Sequence, residues 1–191
     1  MASLYLIRHG QASFGSDHYD QLSPLGQRQA DLSGQFFADI GLDFGQAVSG
    51  DLSRQRETGE RVLKAQPRPP EQRIDPRLNE VDNEGQIAAL LPMLCERDAD
   101  FAEQVKVGRH DSKQYQKVIR AVFSAWVSPD CPELPGTASW RDYLDGVKGA
   151  LEDAMDRAES EAKAVVIVGD GRTFFAGADI SEFGKPPKDP W

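Results

Sequence analysis

Three apolar runs stand out along the chain, and each is short enough to form a single β-strand. The first is Leu4–Ile7, the second lies within residues 44–49, and the third is Ala164–Val168. Continuous runs of strand-forming residues indicate strands that are buried on both faces, as in parallel sheets covered by helices. A further short strand is predicted around Ile74.

The segments between these runs carry helical signals. Ser23 and Pro24 are typical of the N-cap and first position of a helix, and Gly41 is typical of its end. Apolar residues recur between them at helical spacing, at Leu25, Leu32, Phe36 and Ile40. Further helices are predicted over about residues 84–97, 99–108 and 111–127, and after Ser139. This alternation predicts an α/β fold, a three-layer α/β/α sandwich with a mainly parallel sheet.

Length and charge narrow the classes of protein that fit. A chain of 191 residues is expected to form one domain, with a helical insert over about residues 84–136. The net charge of −9 argues against nucleic acid as a partner, because nucleic-acid binding depends on Lys and Arg contacts to phosphates. No apolar run approaches the length of a membrane span, so we expect no membrane partner.

Two further observations bear on cellular location. Cys95 and Cys131 have neither metal-ligand spacing nor the density of a disulfide scaffold, which indicates free thiols in a reducing compartment. The first strand is predicted to begin almost at residue 1, so we expect no signal peptide. We therefore expect a cytoplasmic protein.

Arg8, His9 and Gly10 follow directly after the first strand. The carboxyl ends of strands are where open α/β sheets place their ligands. A neutral imidazole nitrogen can act as a nucleophile, and an adjacent arginine offers a planar charged fork for phosphate oxygens. The pattern therefore indicates phosphoryl transfer to His9. The alternative is that His9 only ends the strand and hydrogen-bonds a carbonyl group.

A second polar segment, residues 49–58, follows the second strand and enters a helix. A helix amino terminus attracts anions, so Arg54 is a second candidate phosphate ligand. Arg56 should face elsewhere and is interpreted as a surface charge near Glu60. No group of His, Cys or carboxylate residues has metal-ligand spacing, so we expect no metal.

Glu80 is the candidate general acid, because a protonated carboxyl group near a phosphate could donate to the leaving oxygen. Taken alone, this segment favours the alternative, a solvated surface glutamate.

Together, residues 6–11, 22–26, 49–58 and 78–80 resemble, in order and spacing, the histidine phosphatase superfamily of phosphoglycerate-mutase-like proteins. The resemblance covers roughly residues 3–150. It implies a phosphoglycerate-mutase-like fold and either phosphomonoester hydrolysis or phosphoryl transfer, with no cofactor. The implied ligand is a small phosphorylated substrate or inorganic phosphate, and a homodimer is left open.

The resemblance also implies roles for six residues. His9 would be the phosphorylated nucleophile, and Glu80 would be the proton donor. The other four would bind the phosphate or lie near it: Arg8, Arg54, Gln11 and Ser23.

The late part of the chain departs from the family's pattern. The family places a second histidine just after a late strand, whereas Gly169 is here followed by Asp170, and no histidine follows His110. The negative charge of Asp170 would repel a phosphate. This departure favours an alternative function, a catalytically inactive phosphatase-like domain that binds phosphorylated ligands or a protein partner.

Residues 164–187 resemble the start of a crotonase (enoyl-CoA hydratase) domain, in which such a segment supplies half of an oxyanion hole from a backbone amide near Ala178. The second amide and the acyl-CoA pocket have no expected counterpart here, so acyl-CoA chemistry is the least favoured function. We interpret the chain as a chimera with an atypical crotonase-like segment over about residues 164–191. Chance convergence on a strand and a Gly-rich turn is the alternative.

Overall fold

The structure, a computed structural model, describes residues 3–13, 20–107, 112–161 and 164–169. The elements in chain order are β1 (Ser3–Arg8), α1 (Pro24–Asp39), β2 (Gln46–Ser49), α2 (Ser53–Lys64), β3 (Gln72–Ile74), a single 3-10 turn (Pro76–Leu78), α3 (Asn83–Arg97), α4 (Ala99–Val107), α5 (Ser112–Trp126), α6 (Trp140–Glu161) and β4 (Ala164–Gly169). The predicted strands and helices are present, with ends that differ by a few residues.

The four described strands form a parallel sheet in the order β1-β4-β2-β3. The register sets Gly169 of β4 level with Arg8 of β1, and Val168 level with Ser49 of β2. The late strand therefore lies between the two strands that carry the polar motifs. The carboxyl ends of β1 and β2 consequently flank that of β4, at the edge where parallel sheets place ligands.

Each face of this sheet is covered by helices, which confirms the three-layer prediction. On one face, β-strand residues pack against small residues of α6, in a cluster of Leu4, Val48, Leu78, Ala150, Ala154, Ala158 and Ile167. On the other face, Tyr5 and Ile7 pack against residues of α1, α2 and the loop before β2, namely Phe37, Phe44, Val62 and Leu63, with Ala47 of β2. Successive residues of β1 thus point to opposite layers, as the pleat requires.

Helix α1 turns a different face inward from the one its large apolar residues suggested. The residues buried against the rest of the protein are Gly26, Ala30, Gly34 and Phe37. A Cβ atom at Gly34 would lie 2.6 Å from the carbonyl oxygen of Val62, so α1 and α2 meet almost backbone to backbone. Leu25, Leu32, Phe36 and Ile40 all face away from this contact and are exposed.

The described residues divide into two compact units, one formed by those within residues 3–80 and 146–169 and the other by those within residues 81–145. The second unit contains α3, α4 and α5 and has its own core, in which Leu90, Val122 and Trp126 are buried. The indole nitrogen of Trp126 donates to the carbonyl of Ala138 at 3.0 Å. No helix in the described ranges is both long and apolar enough to cross a membrane. Asp170 and the crotonase-like residues that follow it lie outside the described residues.

Candidate active site

The loop that follows β1 is hydrogen-bonded to helix α2. The backbone N–H of Gly10 donates to Oγ1 of Thr58 at 3.1 Å, and that hydroxyl donates to the carbonyl of Arg54, one turn earlier, at 2.7 Å. Both Gly10 and Thr58 are buried. Because the backbone beside His9 is hydrogen-bonded to the helix that carries Arg54, the two motifs are held together.

The same loop approaches helix α1 very closely. A Cβ atom at Gly10 would lie 2.3 Å from the carbonyl oxygen of Gly26, and one at Gly26 would lie 2.1 Å from the carbonyl oxygen of Gln11. Both obstacles are backbone atoms, which cannot rotate away as a side chain could. Glycine is therefore required at both positions to hold the His9 loop against the first turn of α1.

The hydrogen bonds of His9 select one tautomer of its imidazole ring. Nδ1 lies 2.5 Å from the carbonyl oxygen of Gly10, and a carbonyl can only accept, so Nδ1 carries the proton. Nε of Arg54, which can only donate, lies 3.3 Å from Nε2. Nε2 consequently presents its lone pair in the neutral ring, on the side where the guanidinium lies.

Arg54 is the most buried charged side chain of the site, with 4% of its surface exposed. Besides the contact to His9, Nη1 donates to Oδ1 of Asp20 at 2.7 Å, and Nη2 donates to Oε2 of Glu80 in a shorter contact. A buried guanidinium needs charged partners, and these two carboxylates provide them. Arg54 thus brings together His9 and Glu80, two residues singled out in the sequence.

Asp20 is the residue of this cluster that the sequence did not reveal. Its second oxygen, Oδ2, accepts from the backbone N–H of Ser53 at 2.8 Å. Ser53 is the first residue of α2, and the preceding residue, Leu52, has no side chain able to cap the helix. Asp20 therefore caps α2 from a distant loop while it also binds Arg54.

Glu80 is placed by the segment that follows the 3-10 turn. The buried side chain of Gln55 donates from Nε2 to the carbonyl of Leu78 at 2.9 Å, and the side chain of Asn79 accepts from the N–H of Asp51 at 2.6 Å. These bonds fix residues 78–79 against the start of α2. Glu80 is half-buried and forms an ion pair with Arg54, so it is not simply solvated at the surface.

Gln11 and Ser23 contact each other rather than Arg54. Ser23 donates from Oγ to Oε1 of Gln11 at 2.9 Å and accepts from the N–H of Gly26 at 3.1 Å. Ser23 is the N-cap of α1, as predicted. These two side chains therefore lie beside the His9 loop and stabilise the start of α1.

The two remaining arginines of the motifs differ in position. Arg8 is exposed at the end of β1, level with Gly169. Arg56 is exposed, as predicted, and its ion pair is with Asp51 at 3.4 Å rather than with Glu60. Among the described residues, no group of three or more His, Cys, Asp and Glu side chains could hold a metal ion.

Comparison with known proteins points to one family. Residues 4–87 match the model of the histidine phosphatase superfamily (branch 1). The serine/threonine-protein phosphatase PGAM5, mitochondrial, of Xenopus laevis is 32% identical over 100 residues, which are 51% of this chain and 34% of that protein. The chain thus spans about a third of the length of this relative.

Solved structures show the same fold. The phosphoglycerate mutase of Bacillus anthracis str. Sterne superposes with a TM-score of 0.58 at 19% identity, over 89% of this chain and 75% of that one. A mycobacterial glucosyl-3-phosphoglycerate phosphatase complexed with VO3 gives a TM-score of 0.56 at 19% identity, over 90% of this chain and 77% of that one. At these identities the likeness shows the fold alone, which is phosphoglycerate-mutase-like as predicted.

Proposed function

We propose that this chain, whose residues 4–87 match the model of the histidine phosphatase superfamily, hydrolyses phosphomonoesters through a phosphohistidine formed on His9. The observation that supports this most directly is the pair of contacts on the imidazole ring. Nδ1 is protonated toward Gly10, so Nε2 keeps its lone pair, and it lies 3.3 Å from Nε of the buried Arg54. A nucleophilic nitrogen beside a fixed cation is what phosphoryl transfer to histidine needs.

In the first step, Nε2 of His9 attacks phosphorus, and the bond between phosphorus and the ester oxygen breaks. Arg54 and the exposed Arg8 stabilise the charge on the equatorial oxygens. Glu80 gives its proton to the leaving oxygen, so an alcohol departs rather than an alkoxide.

In the second step, Glu80 takes a proton from a water molecule as that water attacks phosphorus. The bond between phosphorus and Nε2 breaks, inorganic phosphate leaves, and His9 returns to its neutral form. Gln11 and Ser23 hold the His9 loop and the start of α1, and we assign them a supporting place at the edge of the phosphate site. The substrate class we propose is a small phosphomonoester, in keeping with the phosphoglycerate mutase and glucosyl-3-phosphoglycerate phosphatase among the similar structures.

The alternative is a catalytically inactive domain that binds phosphorylated ligands or a protein partner. Two observations favour it. No histidine follows His110, and Asp170 stands where the family has its second histidine. In addition, Arg54 is already neutralised by two carboxylates, Asp20 and Glu80, which oppose an incoming dianion.

Rapid mixing with 4-nitrophenyl phosphate separates the two functions. Nitrophenol release and base-stable phosphohistidine are followed together in the parent chain and in His9→Ala, with His110→Ala as the matched histidine control. An enzyme gives phosphohistidine and nitrophenol in the parent and in His110→Ala, and neither product in His9→Ala. A folded parent chain that forms neither product, yet binds inorganic phosphate, contradicts the phosphatase proposal and supports the binding domain.

The substitution Asp170→His tests the departure from the family. If position 170 acts on the transferred phosphate, restoring the histidine raises the rate of phosphohistidine formation. An unchanged rate shows that Asp170 does not limit the reaction.

A further inference from the structure

We propose that the outer face of helix α1 is a self-association surface, which packs against the same face of a second copy of this chain with the two helices antiparallel. We call its four large apolar residues, Leu25, Leu32, Phe36 and Ile40, the outer stripe. This inference is independent of the proposed chemistry, because the stripe lies away from the described contacts of His9 and Arg54.

The outer stripe is unusually exposed for residues of its size. The exposed fractions are 52% for Leu25, 59% for Leu32, 58% for Phe36 and 57% for Ile40. On a helix with about 100° between successive residues, these four positions fall on one side, away from the small residues that contact the His9 loop and α2. Four exposed leucine, isoleucine and phenylalanine side chains on one side of a helix, interrupted only by Gln29 on that side, mark an interaction surface rather than an ordinary solvent face.

Two charged residues beside the outer stripe indicate that its partner is a second copy of this chain. Arg28 and Asp39 are both exposed and lie at opposite ends of α1, and neither forms an ion pair within the described chain. Asp39 accepts a hydrogen bond from Gln35 at 2.7 Å, and this is a neutral partner. By the same angular spacing, Arg28 and Asp39 border the same edge of the outer stripe.

The positions of Arg28 and Asp39 are complementary to those of a second copy only when the two α1 helices run antiparallel. When two identical helices face each other across a two-fold axis perpendicular to them, they run antiparallel, and each edge of one helix meets the same edge of the other. Arg28 of one copy then lies beside Asp39 of the second copy, and the contact occurs twice. A parallel pair would instead bring opposite edges together and leave both charges without partners.

The apolar residues fit the same register. With the axis midway between Arg28 and Asp39, Leu32 lies opposite Phe36 of the second copy, offset by about one residue, or roughly 1.5 Å. Leu25 lies opposite Ile40 of the second copy, offset by about two residues. One axis therefore satisfies the charged pair and all four apolar positions.

The size of the surface sets the strength of the association. Helix α1 has 16 residues and is roughly 24 Å long, so its outer face alone is smaller than a standard protein interface. We therefore expect a reversible dimer whose fraction depends on protein concentration. Apolar pairs would hold it together, and the two ion pairs would set its direction.

Sedimentation velocity over a concentration series tests the proposal with the full chain. The parent should change from monomer to dimer as concentration rises, and Phe36→Glu or Leu32→Glu should raise the midpoint at least tenfold. Val127→Glu is the matched control, because Val127 is similarly exposed at 44% but lies in the other unit. It should leave the midpoint unchanged. A parent that stays monomeric at every concentration, or a dimer that Phe36→Glu does not weaken, overturns the proposal.

Charge exchange tests the antiparallel direction. Arg28→Asp alone and Asp39→Arg alone each set like charges opposite each other, so each should weaken the dimer. The double variant Arg28→Asp/Asp39→Arg restores two opposite pairs and should return the midpoint to the parent value. Failure of the double variant to recover overturns the proposed pairing. Circular dichroism checks that every variant keeps its helices, which is expected because all of these side chains are exposed.

Discussion

Asp20 forms an ion pair with Arg54 in the candidate site, with 2.7 Å between Oδ1 and Nη1. The two residues are 34 positions apart in the chain, and the other carboxylate oxygen of Asp20 caps the helix that carries Arg54. Asp20 thus occupies both features that attract an anion at this place, the helix amino terminus and the guanidinium group. A bound phosphate would have to share them with Asp20.

The first prediction follows from that competition. Asp20→Asn should tighten the binding of inorganic phosphate about fivefold, or by roughly 1 kcal/mol, because the change removes a negative charge beside the anion. The asparagine oxygen can still accept from the N–H of Ser53, so α2 keeps its cap. Titration calorimetry with inorganic phosphate measures the effect whether or not the chain turns over a substrate.

Asp51→Asn is the matched control for this experiment. Asp51 is exposed just before α2, and its side chain pairs with Arg56 rather than with Arg54. Its removal should change phosphate affinity by less than about twofold. Weaker phosphate binding in Asp20→Asn would show that Asp20 helps to orient Arg54 more than it competes with the ligand.

The second prediction concerns the hydroxyl that joins the His9 loop to α2. Thr58→Val keeps the shape of the side chain but leaves the buried N–H of Gly10 without its partner, so it should lower the free energy of unfolding by about 1–3 kcal/mol. Thr58→Ser retains the hydroxyl, so its free energy of unfolding should fall markedly less than that of Thr58→Val. Urea unfolding of both variants gives the comparison, and equal losses would mean that the threonine methyl group matters more than the hydrogen bond.

The sequence predicted the strands and helices because their apolar patterns are local, and each pattern is visible within one element. It did not predict that β4 lies between β1 and β2, because strand order depends on crossovers rather than on any one segment. The inner face of α1 was also hidden. Large apolar residues normally mark the buried side, but here Gly34 lets α2 approach closely, and three of the four buried residues of α1 are glycine or alanine.

In the candidate site, too, the sequence indicated the residues that belong to local motifs and missed the one that depends on the tertiary fold. His9 and Arg54 stand next to strand ends, where a motif can be recognised without a structure. Asp20 lies in a polar loop and acquires its place only when that loop meets the start of α2. A single acidic residue in such a loop carries no pattern, so only the folded arrangement shows it.

The third prediction is a pH dependence at the 3-10 turn. The side-chain hydrogen bond from Arg77 holds the pKa of Asp75 below its ordinary value, and burial opposes this only partly. The charged form of Asp75 therefore stabilises the folded state above the unfolded pKa of about 4, and this stabilisation is lost as the pH falls through the lower folded value. Asp75→Asn should be less stable than the parent at pH 7.

Urea unfolding at pH 7 and at about pH 3 measures this difference. The gap in free energy of unfolding between parent and Asp75→Asn should narrow at the lower pH, because the parent then loses the same charge. Asp43→Asn is the control, since Asp43 pairs with the highly exposed Arg68. A gap that stays constant with pH would assign the effect to the capping bond that Asp75 makes with the N–H of Arg77.

The fourth prediction contrasts two glycine-to-alanine changes of opposite sign. Gly26→Ala should destabilise the protein strongly, because the new Cβ atom would lie 2.1 Å from the carbonyl oxygen of Gln11, and backbone must move to admit it. Gly146→Ala, in helix α6, meets only the Arg77 side chain at 3.9 Å. It should raise the free energy of unfolding by about 0.5–1 kcal/mol, since alanine favours the helix more than glycine does. In thermal unfolding, the midpoint temperature of Gly26→Ala should lie below that of the parent, and the midpoint of Gly146→Ala should lie above it. If Gly26→Ala were as stable as the parent, the close contact between the His9 loop and α1 would not hold the candidate site in place.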